Sequence, residues 1–145
     1  MNVEELMSAN PVTVDREETV AAAARLLSRH NIGALPVTTG SGRLVGMITD
    51  RDITVRCVAA NFDPNVTRVR TVMSTGPVTA DPALSPLEAA RTMAKKQVRR
   101  LPVTKDGRLV GMLSQGDLAN ADPSGETARA FRAVFDPLRN SGDPE

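Results

Sequence analysis

The sequence contains no Trp and no Tyr, and its only aromatic rings are Phe62, Phe131 and Phe135. Sites for single-stranded nucleic acid stack bases on aromatic side chains, so this scarcity argues against that class. Charge of one sign is missing too. With 18 Lys plus Arg against 17 Asp plus Glu the formal net charge is +1, which leaves no global field to gather nucleic acid or an anionic membrane. Any anion site must be local. The single cysteine, Cys57, excludes an intrachain disulfide, and the single histidine, His30, leaves no Cys/His set for structural zinc. Cys57 reads as a small buried hydrophobe and His30 as a polar residue near a helix end. No apolar run approaches the roughly 18 to 20 residues that cross a bilayer, and the first residues are polar and acidic, unlike a secretory signal. The expected setting is the cytoplasm, without a membrane partner. Nothing resembles a catalytic triad, a metal-ligand set or a nucleotide-hydrolysing phosphate loop, so no catalytic and no metal-binding residues are expected.

What is present is a duplication. Met7-Ser8, Pro11-Val12-Thr13 and Asp15 return 66 residues later as Met73-Ser74, Pro77-Val78-Thr79 and Asp81. Leu35-Pro36-Val37-Thr38 returns as Leu101-Pro102-Val103-Thr104, and Gly42-Arg43-Leu44-Val45-Gly46-Met47 returns as Gly107-Arg108-Leu109-Val110-Gly111-Met112 after the loss of one residue. A chain of 145 residues has room for one average domain, here one core shared by halves of about 60 residues. Two copies of one unit are expected to bury their apolar faces on each other and to leave quasi-twofold clefts where they meet.

Each half reads as strand, helix, strand, strand, helix. In the first, 11–14 is extended, and Thr19 caps a helix to about His30 whose apolar face is Val20, Ala23, Ala24 and Leu27. Strands at 32–38 and 44–48 flank the turn Gly40-Ser41-Gly42, and a second helix runs over 50–60. In the second half, Ser85-Pro86-Leu87-Glu88 reads as a capping box with proline at the first helical position. Asp106-Gly107 marks a tight hairpin. These patterns divide the chain into repeat 1 with its linker (1–65), repeat 2 (66–122) and an amphipathic helix with a disordered tail (123–145). The last helix would carry Ala128, Phe131, Val134, Phe135 and Leu138 on one face, docked on its own domain or on a second copy.

The constellation that points to chemistry follows the last strand of each half: Gly46-Met47-Ile48-Thr49-Asp50-Arg51-Asp52 and Gly111-Met112-Leu113-Ser114-Gln115-Gly116-Asp117. A hydroxyl and a carboxylate three residues apart at a helix start form a capping box and need no ligand. Two details favour a ligand instead. The glycine interrupts a bulky apolar strand, as where something approaches the backbone closely, and Asp is a poorer back-reaching partner than Glu or Gln. A carboxylate there could accept both hydroxyls of a ribose, with the neighbouring hydroxyl and amides holding a phosphate.

The duplicated unit, with Leu-Pro-Val before the turn and Gly-Met-(Ile/Leu)-(Thr/Ser)-x-x-Asp after it, resembles a tandem pair of cystathionine beta-synthase (CBS) domains, the Bateman module, over nearly all of 3–121. The resemblance implies an α/β (α+β) fold of two β-α-β-β-α repeats related by pseudo-twofold symmetry, plus the C-terminal helix. It implies an adenosine-containing ligand in clefts between the copies. Thr49 and Ser114 would contact phosphate or ribose, Asp52 and Asp117 the ribose hydroxyls, and Thr13 and Thr79 the ligand's border. Backbone at Ile32, Gly33, Ala34, Leu35 and Pro36, and at Val98, Arg99, Arg100, Leu101 and Pro102, would line the base. The copies differ, since Arg99 and Arg100 stand where the first has Gly33 and Ala34, and Arg51 stands where the second has Gly116. In related modules basic residues before Leu-Pro contact phosphates, which an arginine can do with paired hydrogen bonds; Lys95, Lys96, Arg99 and Arg100 as a solvated cluster is the competing reading.

The expected function is therefore a stand-alone regulatory module and not an enzyme. AMP, ADP or ATP come first as ligand, with S-adenosylmethionine and NAD behind them. Its output would be a change of shape or assembly passed to a separate protein partner, and the expected assembly is a homodimer. The alternative is a ligand-free dimerisation or scaffold module; nucleic-acid binding through the basic cluster ranks last.

Overall fold

The computed structural model describes residues 1–121, 125, 126 and 128–130. In chain order the elements are α1 (Val3–Leu6), β1 (Ser8–Ala9), β2 (Val14–Asp15), α2 (Val20–His30), β3 (Ala34–Thr38), β4 (Leu44–Thr49), α3 (Asp50–Asp52), a π-helical segment (Ile53–Val58), α4 (Val69–Val72), β5 (Ser74–Thr75), α5 (Pro86–Lys96), β6 (Arg100–Lys105), β7 (Arg108–Ser114) and α6 (Gln115–Asn120). They form two compact units. One comprises Val12–Pro77 and Asp106–Leu109, the other Met1–Pro11, Val78–Lys105 and Val110–Glu145.

In the first unit the sheet order is β2-β3-β4-β5. β2 runs parallel to β3, with Val14 opposite Val37, and the other pairings are antiparallel. A parallel pair needs a crossover, and α2 supplies it. Thr19 caps α2 by accepting from the Ala22 amide at 3.1 Å, and Asn31 ends it in the left-handed region at φ 52°. The core gathers Val20, Leu35, Val37, Ile48, Val69 and Val72, all fully buried.

The second unit repeats the plan with sheet order β1-β7-β6, and an isolated parallel bridge from Ala80 to Val103 takes the place of β2. Its core holds Val3, Met93, Leu101, Val103, Leu113 and Leu118. The β6–β7 turn has φ 53° at Asp106 and 82° at Gly107, the pair of positive angles that a type I′ hairpin requires and that Asp-Gly predicts. In both units the edge strand comes from the leading arm of the opposite repeat: β1 pairs with β7, and β5 pairs with β4.

Each unit has its own core, not the one core shared by the halves that the chain length predicts, and two local expectations are corrected as well. The helix expected over 50–60 is α-helical only through Asp52 and then widens into the π segment. Ala59 donates to the carbonyl of Thr54, five residues back, at 2.9 Å. The Thr54 hydroxyl donates to the Asp50 carbonyl at 3.0 Å, an acceptor that a regular α-turn would give to the Thr54 amide. The capping box at Ser85 is half formed. Ser85 Oγ accepts from the Glu88 amide at 3.2 Å, while the Glu88 carboxylate takes the serine hydroxyl at 3.1 Å and not the cap amide. Of the C-terminal amphipathic segment, residues 128–130 are helical, and Ala130 packs on the second core. Phe131, Val134, Phe135, Leu138 and the tail lie outside the described residues.

Candidate functional site

Each repeat carries one strand-to-helix junction of the same design. In the first, β4 ends at Thr49, opposite Ala34 of β3, and the Asp50 amide donates to the Gly33 carbonyl at 3.0 Å. In the second, the Gln115 amide donates to the Arg99 carbonyl at 2.9 Å. These bonds bring Gly33 and Ala34 beside Thr49 and Asp50, whose carboxylate oxygen would lie 3.4 Å from a Cβ on Gly33, and Arg99 beside Gln115, the residue after Ser114. Leu35 and Leu101 are fully buried in their cores and Pro36 and Pro102 are buried as well, so of the two segments expected to line a base only 32–34 and 98–100 are accessible. Arg51, Arg99 and Arg100 are exposed. Thr13 and Thr79 are exposed residues immediately before the strand positions Val14 and Ala80, which pair with Val37 and Val103.

Both hydroxyl–carboxylate pairs close into complete capping boxes. Thr49 Oγ1 accepts from the Asp52 amide at 3.0 Å while Asp52 Oδ2 accepts from the Thr49 amide at 3.0 Å. Ser114 Oγ accepts from the Asp117 amide at 3.1 Å while Asp117 Oδ2 accepts from the Ser114 amide at 2.9 Å. The short aspartate therefore does reach back, contrary to the expectation from side-chain length, because the first helical turn curls the third residue's carboxylate over the cap amide. Gly116 does not prevent this. Each box uses Oδ2, so Oδ1 is the atom left for other work.

The strand glycines have a different reason from the one the sequence suggested. A Cβ on Gly46 would lie 2.6 Å from the Ser74 carbonyl oxygen and 2.8 Å from Met73 Sδ. A Cβ on Gly111 would collide with Met7 Sδ and come within 2.9 Å of the Ser8 carbonyl oxygen. The close approach is made by the Met-Ser arm of the opposite repeat. The repeated Met-Ser pairs and the repeated glycines are two halves of one contact.

Two residues at the first junction escaped the sequence reading. The Ser74 hydroxyl lies 3.3 Å from Asp52 Oδ1 and 3.5 Å from Oδ2. Arg56 Nε stands 3.9 Å from Asp52 Oδ1, with Nη1 donating to the Met73 carbonyl at 3.2 Å. The repeated Met-Ser and the four-residue spacing from Asp52 to Arg56 were visible signals; the β4–β5 pairing that unites them was not. The first unit also has a hollow of about 290 Å³ lined by Thr13, Asp15, Glu18, Arg25 and Arg29 among others, and the second has one of about 280 Å³ lined by Glu4, Asp81 and Lys105 among others. Thr13 is the one expected site residue that lines either.

Cys57 is buried, and its Sγ donates to the Phe62 carbonyl at 3.6 Å. Burial, reinforced by the charge of Asp63, pushes its pKa up. His30 is the exposed last residue of α2. Among the described residues no group of three His, Cys, Asp or Glu is placed to hold a metal ion, and no helix is long and apolar enough to cross a membrane.

A duplicated α/β unit with this junction defines a class, and comparison with known proteins says which. A family model of the CBS domain matches residues 3–58 and 69–124. The chain belongs to the CBS-domain family, as a tandem pair. It is 42% identical over 127 residues to CBS domain-containing protein YhcV of Bacillus subtilis, covering 88% of this chain and 89% of that one. It is 35% identical over 134 residues to Hypoxic response protein 1 of Mycobacterium tuberculosis, covering 92% and 94%. Among solved structures, Hypoxic Response Protein I with two coordinated zinc ions superposes with a TM-score of 0.78 at 36% identity, covering 85% of this chain and 100% of that one. CBSX2 in complex with AMP gives a TM-score of 0.73 at 26% identity, covering 83% and 94%. The CBS domain pair of MJ0100, in complex with 5-methylthioadenosine and S-adenosyl-L-methionine, gives 0.71 at 29% identity, covering 83% and 98%.

Proposed function

We propose that this protein is a non-enzymatic regulatory module that binds an adenine nucleotide at its paired junctions and signals by a change of shape or assembly. The observation that carries this reading is the repeated hydrogen bond from Asp50 to Gly33 and from Gln115 to Arg99, 3.0 and 2.9 Å. It ties the backbone before each Leu-Pro to the residue that follows each junction hydroxyl, which supports a base lying on the former while its sugar meets the hydroxyl–carboxylate pair. Asp52 and Asp117 are assigned to the ribose hydroxyls, Thr49 and Ser114 to ribose or phosphate, and Thr13 and Thr79 to the ligand's edge. Arg51, Arg99 and Arg100 are assigned to phosphates, with the accessible backbone at 32–34 and 98–100 assigned to the base. The AMP and S-adenosylmethionine complexes of family members support an adenosine ligand. AMP, ADP and ATP stand ahead of S-adenosylmethionine and NAD because the basic residues favour phosphate. The working form is a cytoplasmic homodimer that acts on a separate protein.

The completeness of both capping boxes favours one competitor, a ligand-free scaffold in which Asp52 and Asp117 only finish their helices. Thermal melting with AMP separates the two. Ligand at a hundred times its Kd adds about 2.7 kcal/mol, a rise of roughly 5–10 °C for a chain of this size. With no Trp or Tyr to absorb near 280 nm, a co-purifying nucleotide would also dominate the ultraviolet spectrum. No shift with any adenosine ligand and a bare spectrum would establish the scaffold, and a monomer mass by light scattering would remove the dimer.

A further inference from the structure

The two junction carboxylates are not held alike. Asp52 is 8% exposed, and its Oδ1, the oxygen its capping box leaves over, meets the Ser74 hydroxyl at 3.3 Å and Arg56 Nε at 3.9 Å. Both partners are fixed to the same arm: Ser74 opens β5, and Arg56 is tied to the carbonyl of Met73 just before it. The second junction differs: Ser8 stands opposite Met112 as Ser74 stands opposite Met47, but among the described residues no hydrogen bond joins Ser8 to Asp117, whose bonds are those of its capping box. Asp117 is half-buried, the position four residues after it is the uncharged Ala121, and its neighbour Gly116 carries no side chain. A Cβ at Gly116 would have only Ser114 Oγ, 3.7 Å away, within reach.

A ribose diol offers a carboxylate two O–H donors. At Asp52 those donors compete with a hydroxyl and a guanidinium already directed at the charge; at Asp117 they meet an oxygen outside the capping box. At 3.3 Å the Ser74 contact is longer than a strong charge-assisted hydrogen bond, and Arg56 at 3.9 Å acts through its charge, weakened by exposure.

Resting on the adenosine-binding reading above, we propose that Ser74 and Arg56 form a clamp on Asp52. Asp117 then takes the ribose of an adenosine ligand first, and Asp52 takes one only when its contact with the β5 arm is broken. Ser74 and Arg56 are positioning residues, acting through Asp52. Occupancy of the first junction is thereby linked to release of the arm that opens the second repeat.

Isothermal titration with AMP reads the inequality. The wild-type protein should bind one AMP per chain tightly and a second at least about tenfold more weakly, the scale set by one hydrogen bond to a charge. Asp117→Asn should abolish the tight event and Asp52→Asn should spare it. In Ser74→Ala/Arg56→Gln the second affinity should rise to within about threefold of the first. Two equal sites in the wild type, or an unchanged second site in the double variant, overturns the proposal. Hydrogen exchange of the ligand-free protein tests the clamp apart from any nucleotide: the β5 amides should exchange roughly three to ten times faster in Ser74→Ala and recover in Ser74→Thr. Unchanged exchange refutes the clamp. Faster exchange with no AMP binding in any variant leaves the clamp standing as an arm latch and overturns the adenosine reading together with the ordering of sites built on it.

Discussion

Replacing Gly46 with alanine is the most direct test of how the sheet is assembled. The added Cβ would lie 2.6 Å from the Ser74 carbonyl oxygen and 2.8 Å from Met73 Sδ, against an ordinary contact of about 3.5–4 Å. The sulfur sits on a flexible side chain and can turn away, but the carbonyl belongs to paired backbone, with Gly46 opposite Thr75 and Met47 opposite Ser74. Relief therefore requires β5 to move off β4. Overpacking that shifts backbone costs about 1–3 kcal/mol, which for this chain length lowers Tm by roughly 3–12 °C. Gly111→Ala should cost less, because the first atom struck there is the sulfur of Met7. Met7→Ala should accordingly rescue Gly111→Ala in a double-mutant cycle, with a coupling of about 1 kcal/mol, more completely than Met73→Ala rescues Gly46→Ala. Differential scanning calorimetry on the wild type and the six variants decides. If Gly46→Ala melts with the wild type but loses AMP binding, the glycine is kept for a ligand and the packing argument fails.

Leu101→Ala removes a fully buried side chain of the second core and should cost about 2–5 kcal/mol in urea unfolding; a loss below 1 kcal/mol would contradict its placement. The Cys57 pKa is raised by burial and then by Asp63, so the stability it contributes is whole below its ordinary value near 9.0. Above that pH the unfolded thiol ionises first and the margin shrinks until the folded thiol follows. The urea midpoint should fall above pH 9 more in the wild type than in Cys57→Ala, and the thiol should react with a disulfide reagent at pH 8 only on unfolding. A fragment spanning 3–58 lacks Val69 and Val72, both fully buried in the first core, worth about 1.5–3 kcal/mol each. Its circular dichroism should be that of an unfolded chain, and a cooperative melt would refute this.

Much of this fold is readable in the sequence because local chemistry sets it. Thr19 and Ser85 start α2 and α5 as caps, Asp106-Gly107 makes its hairpin, and the junction pairs at Thr49 and Ser114 stand where the repeated motif puts them. What escaped depends chiefly on partners distant in sequence. Gly46 shows that something must come close, but nothing near it says that Met73 and Ser74 do. Asp52 and Asp117 look equivalent until β5 brings a hydroxyl to only one of them. The π segment carries a Thr54 hydroxyl bond to the Asp50 carbonyl, but the same bond from Thr92 to Glu88 leaves α5 regular, so no residue-level rule in the sequence marks the widening.

The exchange of arms gives these details a common cause. Val3 belongs to the core that holds Leu101 and Leu113, while Val69 and Val72 belong to the core that holds Leu35 and Ile48. Each hydrophobic core is thus completed by residues that open the other repeat, and the Met-Ser pair that follows fills the strand glycine of the same unit. An arm held by two buried valines and a short two-residue pairing keeps most of its anchorage when only the pairing loosens, because burial and the ladder contribute separately. Such an arm can let go of Asp52 without unfolding its unit. On the proposed reading, the first junction would couple what happens at its carboxylate to the chain entering the second repeat, whereas at the second, where among the described residues the carboxylate's hydrogen bonds are those of its own capping box, binding would lack that consequence.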